Sequence, residues 1–385
     1  MQAAQTRLAK TQDQLATGKR VSTPADDPIA SVRILEISRA KAQSAQYGAN
    51  SAIATNRLSL EEQALNDSTT ALQRVRELIL QAANTGTLSD SDRQSIAAEL
   101  KSRGDELRDI GNRQDGNGEF MFSGFSTLTR PFTRNAGGIV TYAGDQGSRV
   151  LQVGPSQRIA DSDSGFSVFM DIPEGNGTFV TAAPTTNAGT GIIDIGSVVS
   201  QASWVPDDYA INFTSDTAYE VRNSSNALVS SGTYAPGTAI TFNGVQVSVS
   251  GLPASGDRFT VNEAGTKDMF SLIDDIVGRL TTSSTTASQR SNLSSFIGGA
   301  LQQLDQSLTQ TQSARSGVGS RLSRLETIDT ARLDYELELS SSLSDLQDLD
   351  YAEAITRMNQ QLVALQAAQA SYARVAQLSL FDYLR

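Results

Sequence analysis

The stretch Leu58–Ala82, LSLEEQALNDSTTALQRVRELILQA, decides how the first third of the chain folds. Large aliphatic residues recur there at every seventh position, namely Leu58, Leu65, Leu72 and Ile79. Neither Gly nor Pro occurs between residues 49 and 85. A heptad repeat places these side chains on one face of a helix, so the stretch predicts a long helix with one buried seam. The second apolar position of each heptad lies three residues later. Glu61 and Ser68 occupy it in the first two heptads, so we expect the seam to be weaker there.

A second helical region runs from about residue 266 to the end of the chain, and after Gly319 it contains neither Gly nor Pro. Its apolar residues alternate at spacings of three and four, as in a coiled coil. We interpret Gly317-Val-Gly319 as a flexible joint ahead of the last helix. Two helical arms that flank an insertion bury their seams most simply against each other, antiparallel, which would bring both termini to one end of a rod.

The composition between about residues 115 and 265 differs from that of the two helical regions. Gly, Pro, Asn and Thr become frequent there, and short runs of alternating apolar and polar residues appear. Asn243-Gly244 between two such runs is a strong hairpin signal. The predicted fold class is α+β multidomain, with a long antiparallel α-helical rod, an inserted β-hairpin region and a separate all-β domain. The predicted segments are a helical arm at 1–115, a hairpin segment at 116–168, an outer β domain at 169–264, a second arm at 265–345 and a terminal helix at 346–385.

Composition argues against most catalytic roles. The chain has no His and no Cys, so it lacks the commonest general base, the commonest metal ligand and any thiol chemistry. Its net charge of −11 does not suit binding to nucleic acid or to anionic membranes. No apolar run reaches the roughly 20 residues of a membrane span, and the N-terminus lacks an apolar signal region. We therefore predict a structural protein and not an enzyme, with no cofactor.

Several short patterns could carry chemistry, but each has a simpler structural interpretation. Ser38 and Lys41 have the spacing of an acylating serine site, yet its partner motifs are absent. The runs 115–119 and 161–165 have acidic spacing that suggests calcium, but the ligand set is incomplete, so we predict solvated turns. We interpret an acidic cluster as a solvated face of the final helix, at Asp345, Asp348, Asp350 and Glu353.

Three stretches resemble one protein family. LATGKRVSTPADDP, residues 15–28, resembles the N-terminal signature of the flagellin superfamily through Gly18, Arg20, Asp26, Asp27 and Pro28. Asp348–Glu353 and the heptads that follow it resemble the C-terminus of that superfamily. GEFMFSGF, residues 118–125, contains Phe122 and Gly124, and it resembles the segment that follows the first helical arm in the hook–filament junction branch.

The resemblance implies a structural subunit of the bacterial flagellum that assembles in a ring and joins the hook to the flagellin filament. It also implies an extracellular location, with export by the flagellar type III apparatus without a cleaved signal peptide. The implied partners are copies of itself, flagellin, the neighbouring hook-associated junction protein and an export chaperone. The alternatives are filament flagellin and a binding module in which the β domain holds glycans or calcium.

The terminal helix is where we expect the assembly contacts. The candidate residues are apolar or aromatic, and they are Leu346, Leu349, Ile355, Met358, Leu362, Leu365, Tyr372, Val375, Leu378 and Leu380. Members of the superfamily usually have a further stretch before the position of Met1. We therefore expect the N-terminal arm to be truncated, and the C-terminal arm from about Leu346 to lack its antiparallel mate.

Overall fold

The computed structural model describes residues 2–84 and 88–377, and it divides the chain into two compact units. The first unit comprises Met1–Ala52, Gln152–Gln157 and Leu325–Arg385. The second unit comprises Ile53–Leu151 and Arg158–Arg324. The order of elements is helices, then strands, then helices, which confirms the predicted fold class.

The helices are long at both ends of the chain. They are α1 (Gln2–Thr17), α2 (Pro28–Ala82), α3 (Asp90–Gly111), α4 (Met269–Thr281), α5 (Ala287–Gln347) and α6 (Tyr351–Gln377). In the second unit, α2 and α5 run antiparallel, since Glu62 pairs with Arg315 and, further along α2, Arg76 pairs with Asp305. In the first unit, Lys41 Nζ donates to Ser340 Oγ across the same two helices.

The strands between α3 and α4 are short and antiparallel. They are β1 (Phe132–Arg134), β2 (Val140–Tyr142), β3 (Val150–Gln152), β4 (Arg158–Ala160), β5 (Ile172–Pro173), β6 (Phe179–Ala182), β7 (Ile192–Ile193), β8 (Ser197–Val198), β9 (Tyr209–Ser215), β10 (Ala218–Arg222), β11 (Leu228–Thr233), β12 (Ala239–Phe242), β13 (Val245–Ser250), β14 (Arg258–Glu263) and β15 (Thr266–Lys267). A π-helical turn at Phe166–Met170 and a 3₁₀ turn at Gln201–Ser203 complete the region.

Two sheets form the core of the β domain. The larger has the order β11-β10-β9-β14-β6, and the smaller has the order β12-β13-β7, with β8 also on β13. Both contribute to one cluster of buried side chains, which includes Phe179, Tyr209, Phe213, Phe242, Val247 and Phe259. The predicted Asn243-Gly244 hairpin is confirmed, because Phe242 pairs with Val245 and both turn residues have positive φ, as a type I′ turn requires.

The heptad seam of α2 is buried along its whole length in the second unit. All four heptad residues, Leu58, Leu65, Leu72 and Ile79, have no exposed surface. Glu61 and Ser68 are equally buried, so the polar positions belong to the seam. Ser68 satisfies its hydroxyl by donating to Ala64 O, a bond that a buried helical serine can make within its own helix.

One prediction about the C-terminal helices is wrong. Gly317-Val-Gly319 is not a joint, since α5 continues through it and Val318 is fully buried. The helical region is instead interrupted at 348–350, where the sequence has neither Gly nor Pro. Asp350 explains the restart, because its Oδ1 accepts the backbone N–H groups of Ala352 and Glu353 and caps α6.

Candidate assembly surface

The turn after α1 is bonded to the interruption between α5 and α6. Leu349 N donates to Gly18 O at 3.0 Å, and Arg20 N donates to Gln347 O at 2.7 Å. Gly18 has φ +69°, and a Cβ there would lie 2.7 Å from the Tyr351 hydroxyl. Only glycine adopts this φ without strain and leaves room for the Tyr351 hydroxyl. These two requirements explain why the motif has glycine at position 18.

Arg20 caps the end of α5. Its Nη2 donates to Leu346 O at 2.7 Å, a carbonyl in the last turn that has no partner within the helix. The backbone carbonyl of Arg20 in turn accepts from Gln14 Nε2 at 2.7 Å. Arg20 therefore connects α1, the following turn and the end of α5, all within the first unit.

The Asp-Asp-Pro step starts α2. Asp27 Oδ1 accepts from Ala30 N at 3.0 Å as an N-cap, and Pro28 occupies the first helical position, where its missing N–H costs nothing. Asp26 forms an ion pair with Lys10 at 2.6 Å and accepts from the backbone and hydroxyl groups of Thr23. The Lys10 contact, followed by the Thr23 N–H, holds the pKa of Asp26 well below its usual range.

Helices α1 and α6 pack against each other along most of α1. Thr11 Oγ1 donates to Gln361 Oε1 at 3.0 Å, and Gly18 contacts Leu349, so the two helices run antiparallel. Leu8 and Thr11 on α1 are buried, as is Ala354 on α6. The expectation that the terminal helix lacks an antiparallel mate is therefore wrong over this length.

The candidate assembly residues fall into three groups. Met358, Leu362 and Leu365 are half-buried, as are Leu346 and Leu349. Three are exposed, namely Ile355, Tyr372 at 63% and Val375 at 66%. Leu378 and Leu380 lie outside the described residues. Tyr372 lies seven residues after Leu365, so it continues the half-buried row along the same face of α6.

A further exposed apolar row was not predicted. Ile29, Val32 and Leu35 follow one another at three-residue spacing near the start of α2, and Ile29 is 77% exposed. The face of α2 that is buried instead carries small residues such as Ala30 and Ser44. Leu333 and Leu337 on α5 are exposed as well. The sequence does contain a signal for this row, because large aliphatic residues lie on two faces of the same helix and one helix face alone does not bury both.

The acidic runs that were predicted as solvated turns form a buried ion-pair cluster in the second unit. Arg57 Nη1 lies 2.7 Å from both Asp115 Oδ2 and Glu119 Oε2, and its Nε lies 3.3 Å from Asp161 Oδ2. Arg149 bridges Glu119 and Asp161 from the other side, at 2.9 Å each. Residues 115–119 do form a turn, since Gly118 N donates to Asp115 O and residues 116–118 are exposed. The expectation that the carboxylates are solvated is wrong, because Asp115 and Asp161 are almost fully buried by these contacts. Within residues 2–84 and 88–377, no acidic group is arranged to hold a metal ion.

Glu61 lies beside this cluster, in the seam of α2. Its Oε1 accepts from Asp163 N at 3.0 Å, and no described residue bonds its Oε2. Burial, and next the negative charge of Asp163, raise the pKa of Glu61 to about 8, while Arg321, which is ion-paired with Asp163, opposes the shift. A carboxyl in this setting is protonated at neutral pH.

Phe122 and Gly124 hold the segment after α3 in place. The Phe122 ring is fully buried and packs edge-on against Phe169 at 5.2 Å. Gly124 has φ +69°, and a Cβ there would lie 2.2 Å from an Asp145 carboxylate oxygen. Asp145 uses that carboxylate to accept the N–H of Phe125, so the Ser-Gly-Phe segment is a tight loop with a structural role.

The remaining acidic and serine candidates are also structural. Asp345 lies on α5, Asp348 and Asp350 lie in the interruption, and Glu353 lies in the first turn of α6, so the cluster is not a face of one helix. Ser38 Oγ donates to Ile34 O, and Lys41 bonds Ser340 instead of Ser38. No helix in the described part of the chain is long and apolar enough to cross a membrane.

Comparison with known families defines the class. The model of the bacterial flagellin N-terminal helical region matches residues 1–127, and that of the C-terminal helical region matches residues 301–384. A third model, the D2-like domain of flagellar hook-associated protein 1, matches residues 183–263 in the β domain. The helical regions are thus of the flagellin type.

Individual relatives narrow the class. Flagellar hook-associated protein 3 of Salmonella typhimurium is 28% identical over 99% of this chain and 94% of its own length. The crystal structure of FlgL from Xanthomonas campestris is 36% identical, with a TM-score of 0.76 over 80% of this chain and 99% of the other. Hook-associated protein 3 from Legionella pneumophila is 33% identical, with a TM-score of 0.78 over 81% and 98%. The chain belongs to the flagellar hook-associated protein 3 family, whose members are structural proteins of the flagellum.

Proposed function

We propose that this chain is a subunit of the hook–filament junction, where it assembles in a ring and links the hook-associated protein on the hook side to the flagellin filament. Family membership supports the location, and a related structure from Legionella pneumophila is described as a flagellar junction protein. We further propose export through the flagellar type III apparatus and a chaperone that holds the chain before export. The partners in the assembled state are other copies, flagellin and the neighbouring junction protein.

The observation that carries the assembly proposal is the exposed continuation of the α6 seam. Tyr372 and Val375 have about two thirds of their surface in solvent, although the earlier residues of the same row pack on α1. Covering such side chains contributes roughly 25 cal/mol per Å² of apolar area removed from water. A helix of another subunit is the partner that fits a heptad row.

The experiment replaces these side chains in the full-length protein. A Tyr372→Asp/Val375→Asp variant should prevent filament attachment, because two buried charges in a contact without partners are strongly unfavourable. Gln360→Asp is the matched control, since Gln360 is exposed on the same helix outside the row. Electron microscopy of hook ends in cells that lack the wild-type protein gives the readout. Normal filaments on the double variant would refute the assembly surface.

Direct contact between subunits can be tested by cross-linking. The chain has no cysteine, so Val375→Cys introduces a single thiol. We expect a thiol-specific bifunctional reagent to yield covalent products in isolated hook–filament junctions, whereas Gln360→Cys should give fewer. Equal yields from both positions would count against a specific contact at Val375.

Overproduction distinguishes a junction subunit from filament flagellin, which is the alternative within the superfamily. A junction subunit should stop after limited assembly, whereas a flagellin should extend into long filaments. Long filaments made of this chain alone would favour the alternative.

A further inference from the structure

A groove in the second unit is formed by one strand edge and two helices. It has a volume of about 420 Å³, and it lies between β6 with the residues that follow it and the facing sides of α4 and α5. Its lining includes Thr181, Ala183, Leu272, Arg279, Phe296 and Gly299. Most of the lining is apolar, and Phe296 is only half-buried, so its ring faces the open space.

The strand wall has unused backbone groups. β6 is the edge strand of the five-stranded sheet and pairs with β14 alone. Ala264 N donates to Thr178 O, so by alternation the bonding groups of Val180 and Ala182 point to β14, and those of Thr181 and Ala183 point away. Among the described residues, these outward groups of Thr181 and Ala183 form no backbone hydrogen bond. An open edge of this kind is a template for a further strand.

The helix wall contains a glycine that packing does not require. Gly299 lies in the interior of α5, where glycine weakens a helix relative to alanine. A Cβ at this position would meet only Thr181 O, at the ordinary contact distance of 4.0 Å. The glycine therefore keeps the floor of the groove open, and a larger side chain would fill it.

Charged residues of both signs line the groove, since Lys267 pairs with Asp275, and Glu174 and Arg279 also line it. The Arg279 guanidinium lies 5.6 Å from the centroid of the Phe296 ring, and no carboxylate of the described residues lies within ion-pair distance of it. Arg279 also lines an adjoining small pocket with Asn292, whose side chain is 3% exposed and whose Oδ1 has no partner in the described chain. A ligand that offers a carboxylate and a nearby N–H donor satisfies both groups.

We propose that this groove binds an extended peptide segment of a partner protein, which adds to β6 as a new strand. The segment places an apolar side chain over Phe296 and Gly299 and an acidic side chain on Arg279. Backbone pairing supplies the affinity and the two side-chain positions supply the specificity, as in other strand-addition sites. This role is separate from subunit contacts through α6, and it would remain if those contacts were refuted.

The test uses the full chain and a defined probe, the peptide acetyl-Val-Thr-Val-Glu-Val-amide. NMR titration should shift the amide signals of Thr181 and Ala183, and both amides should become protected from hydrogen exchange. The same peptide with an N-methyl group on its central residue should bind at least about tenfold more weakly, because it cannot pair with the edge. Absence of shifts at Thr181 and Ala183 at about 5 mM peptide, or shifts confined to other regions, would overturn the proposal.

Three variants locate the site. Gly299→Leu fills the floor and should weaken binding of the probe at least about tenfold, whereas the matched control Gly298→Leu should not, since Gly298 does not line the groove. Arg279→Gln should abolish the preference for this probe over the same peptide with Gln in place of Glu. Equal binding by Gly299→Leu and Gly298→Leu would refute the site. If Gly299→Leu fails to fold, the N-methyl peptide decides the question on the wild-type chain.

Discussion

The two halves of α2 treat their apolar residues in opposite ways. In the second unit, residues 53–82 bury the heptad leucines completely. In the first unit, residues 28–52 bury small residues such as Ala30 and Ser44, and the large aliphatics Ile29 and Val32 stay exposed. Stability of the single chain is therefore concentrated in the second unit. Among the described residues, the first unit retains exposed apolar surface of the kind that marks contact sites.

The largest expected effect comes from removing a buried aromatic side chain in the second unit. Phe213 is almost fully buried in the β domain, and its ring packs edge-on against Tyr234 at 5.0 Å and Phe259 at 5.8 Å. We expect Phe213→Ala to lower the free energy of unfolding by about 3–5 kcal/mol, because it leaves a cavity. Ile29→Ala should change it by no more than about 0.5 kcal/mol. Urea denaturation of both variants gives the measurement, and equal losses would contradict the contrast.

Glu61 sharpens the comparison, since it is a titratable group inside the buried seam. The folded protein holds a proton up to a pKa of about 8, whereas the unfolded chain releases it near 4.5. Stability therefore falls as pH rises between those values, and the penalty persists above them. Glu61→Gln imitates the protonated form, so we expect it to stabilise the protein by roughly 2–4 kcal/mol at pH 9 and by little at pH 4.

The matched control for this prediction is the half-buried neighbour Glu62. Glu62→Gln removes an ion pair with Arg315, and we expect a loss of at most about 1 kcal/mol. Thermal or urea unfolding at several pH values distinguishes the two variants. An alkaline stabilisation that appears equally in both would show that Glu61 does not titrate in the folded protein as described.

The sequence predicted the features that arise from local periodicity. Heptads indicated the long helices, and Asn243-Gly244 indicated a hairpin, because both signals lie within a few turns of chain. The family signature located Gly18 and Asp27, but their roles became visible only with Tyr351 and Ala30 in place. Motif recognition therefore gave positions without giving reasons.

Features that depend on distant partners could not be predicted. Arg57 meets Asp115, Glu119 and Asp161, which come from separate segments, and nothing local distinguishes those carboxylates from solvated ones. The interruption after α5 contains no helix-breaking residue, because a capping aspartate and the Gly18 carbonyl produce it. The exposure of Ile29 does not follow from the sequence, because periodicity identifies a face without showing what covers it.

A smaller effect on local stability should result from a substitution at Gly18, in the turn after α1. Gly18→Ala forces a left-handed conformation on a residue with a Cβ and brings that atom against the Tyr351 hydroxyl. We expect a loss of about 1–2 kcal/mol in local stability, read from amide hydrogen exchange at Leu349 and along α1. Gly18→Ala/Tyr351→Phe should recover the steric part alone. Unchanged exchange in Gly18→Ala would show that the turn does not hold α1 and α6 together.

The smallest effect concerns the restart of the helix at Asp350. Asp350→Ala removes the acceptor for two N–H groups at the start of α6, so we expect a loss of about 1 kcal/mol in the local stability of that first turn. Asp350→Ser keeps a capping acceptor and should lose much less. Asp345→Ala, on the exposed side of α5, controls for the loss of a carboxylate. Amide exchange at Ala352 and Glu353 gives the readout.

The same measurement tests whether the cap and the bonded turn of Gly18 and Arg20 stabilise each other, because that turn adjoins the first turn of α6. Faster exchange in Asp350→Ala that spreads to Leu349 would show that they do. Faster exchange confined to α6 would show that they act independently.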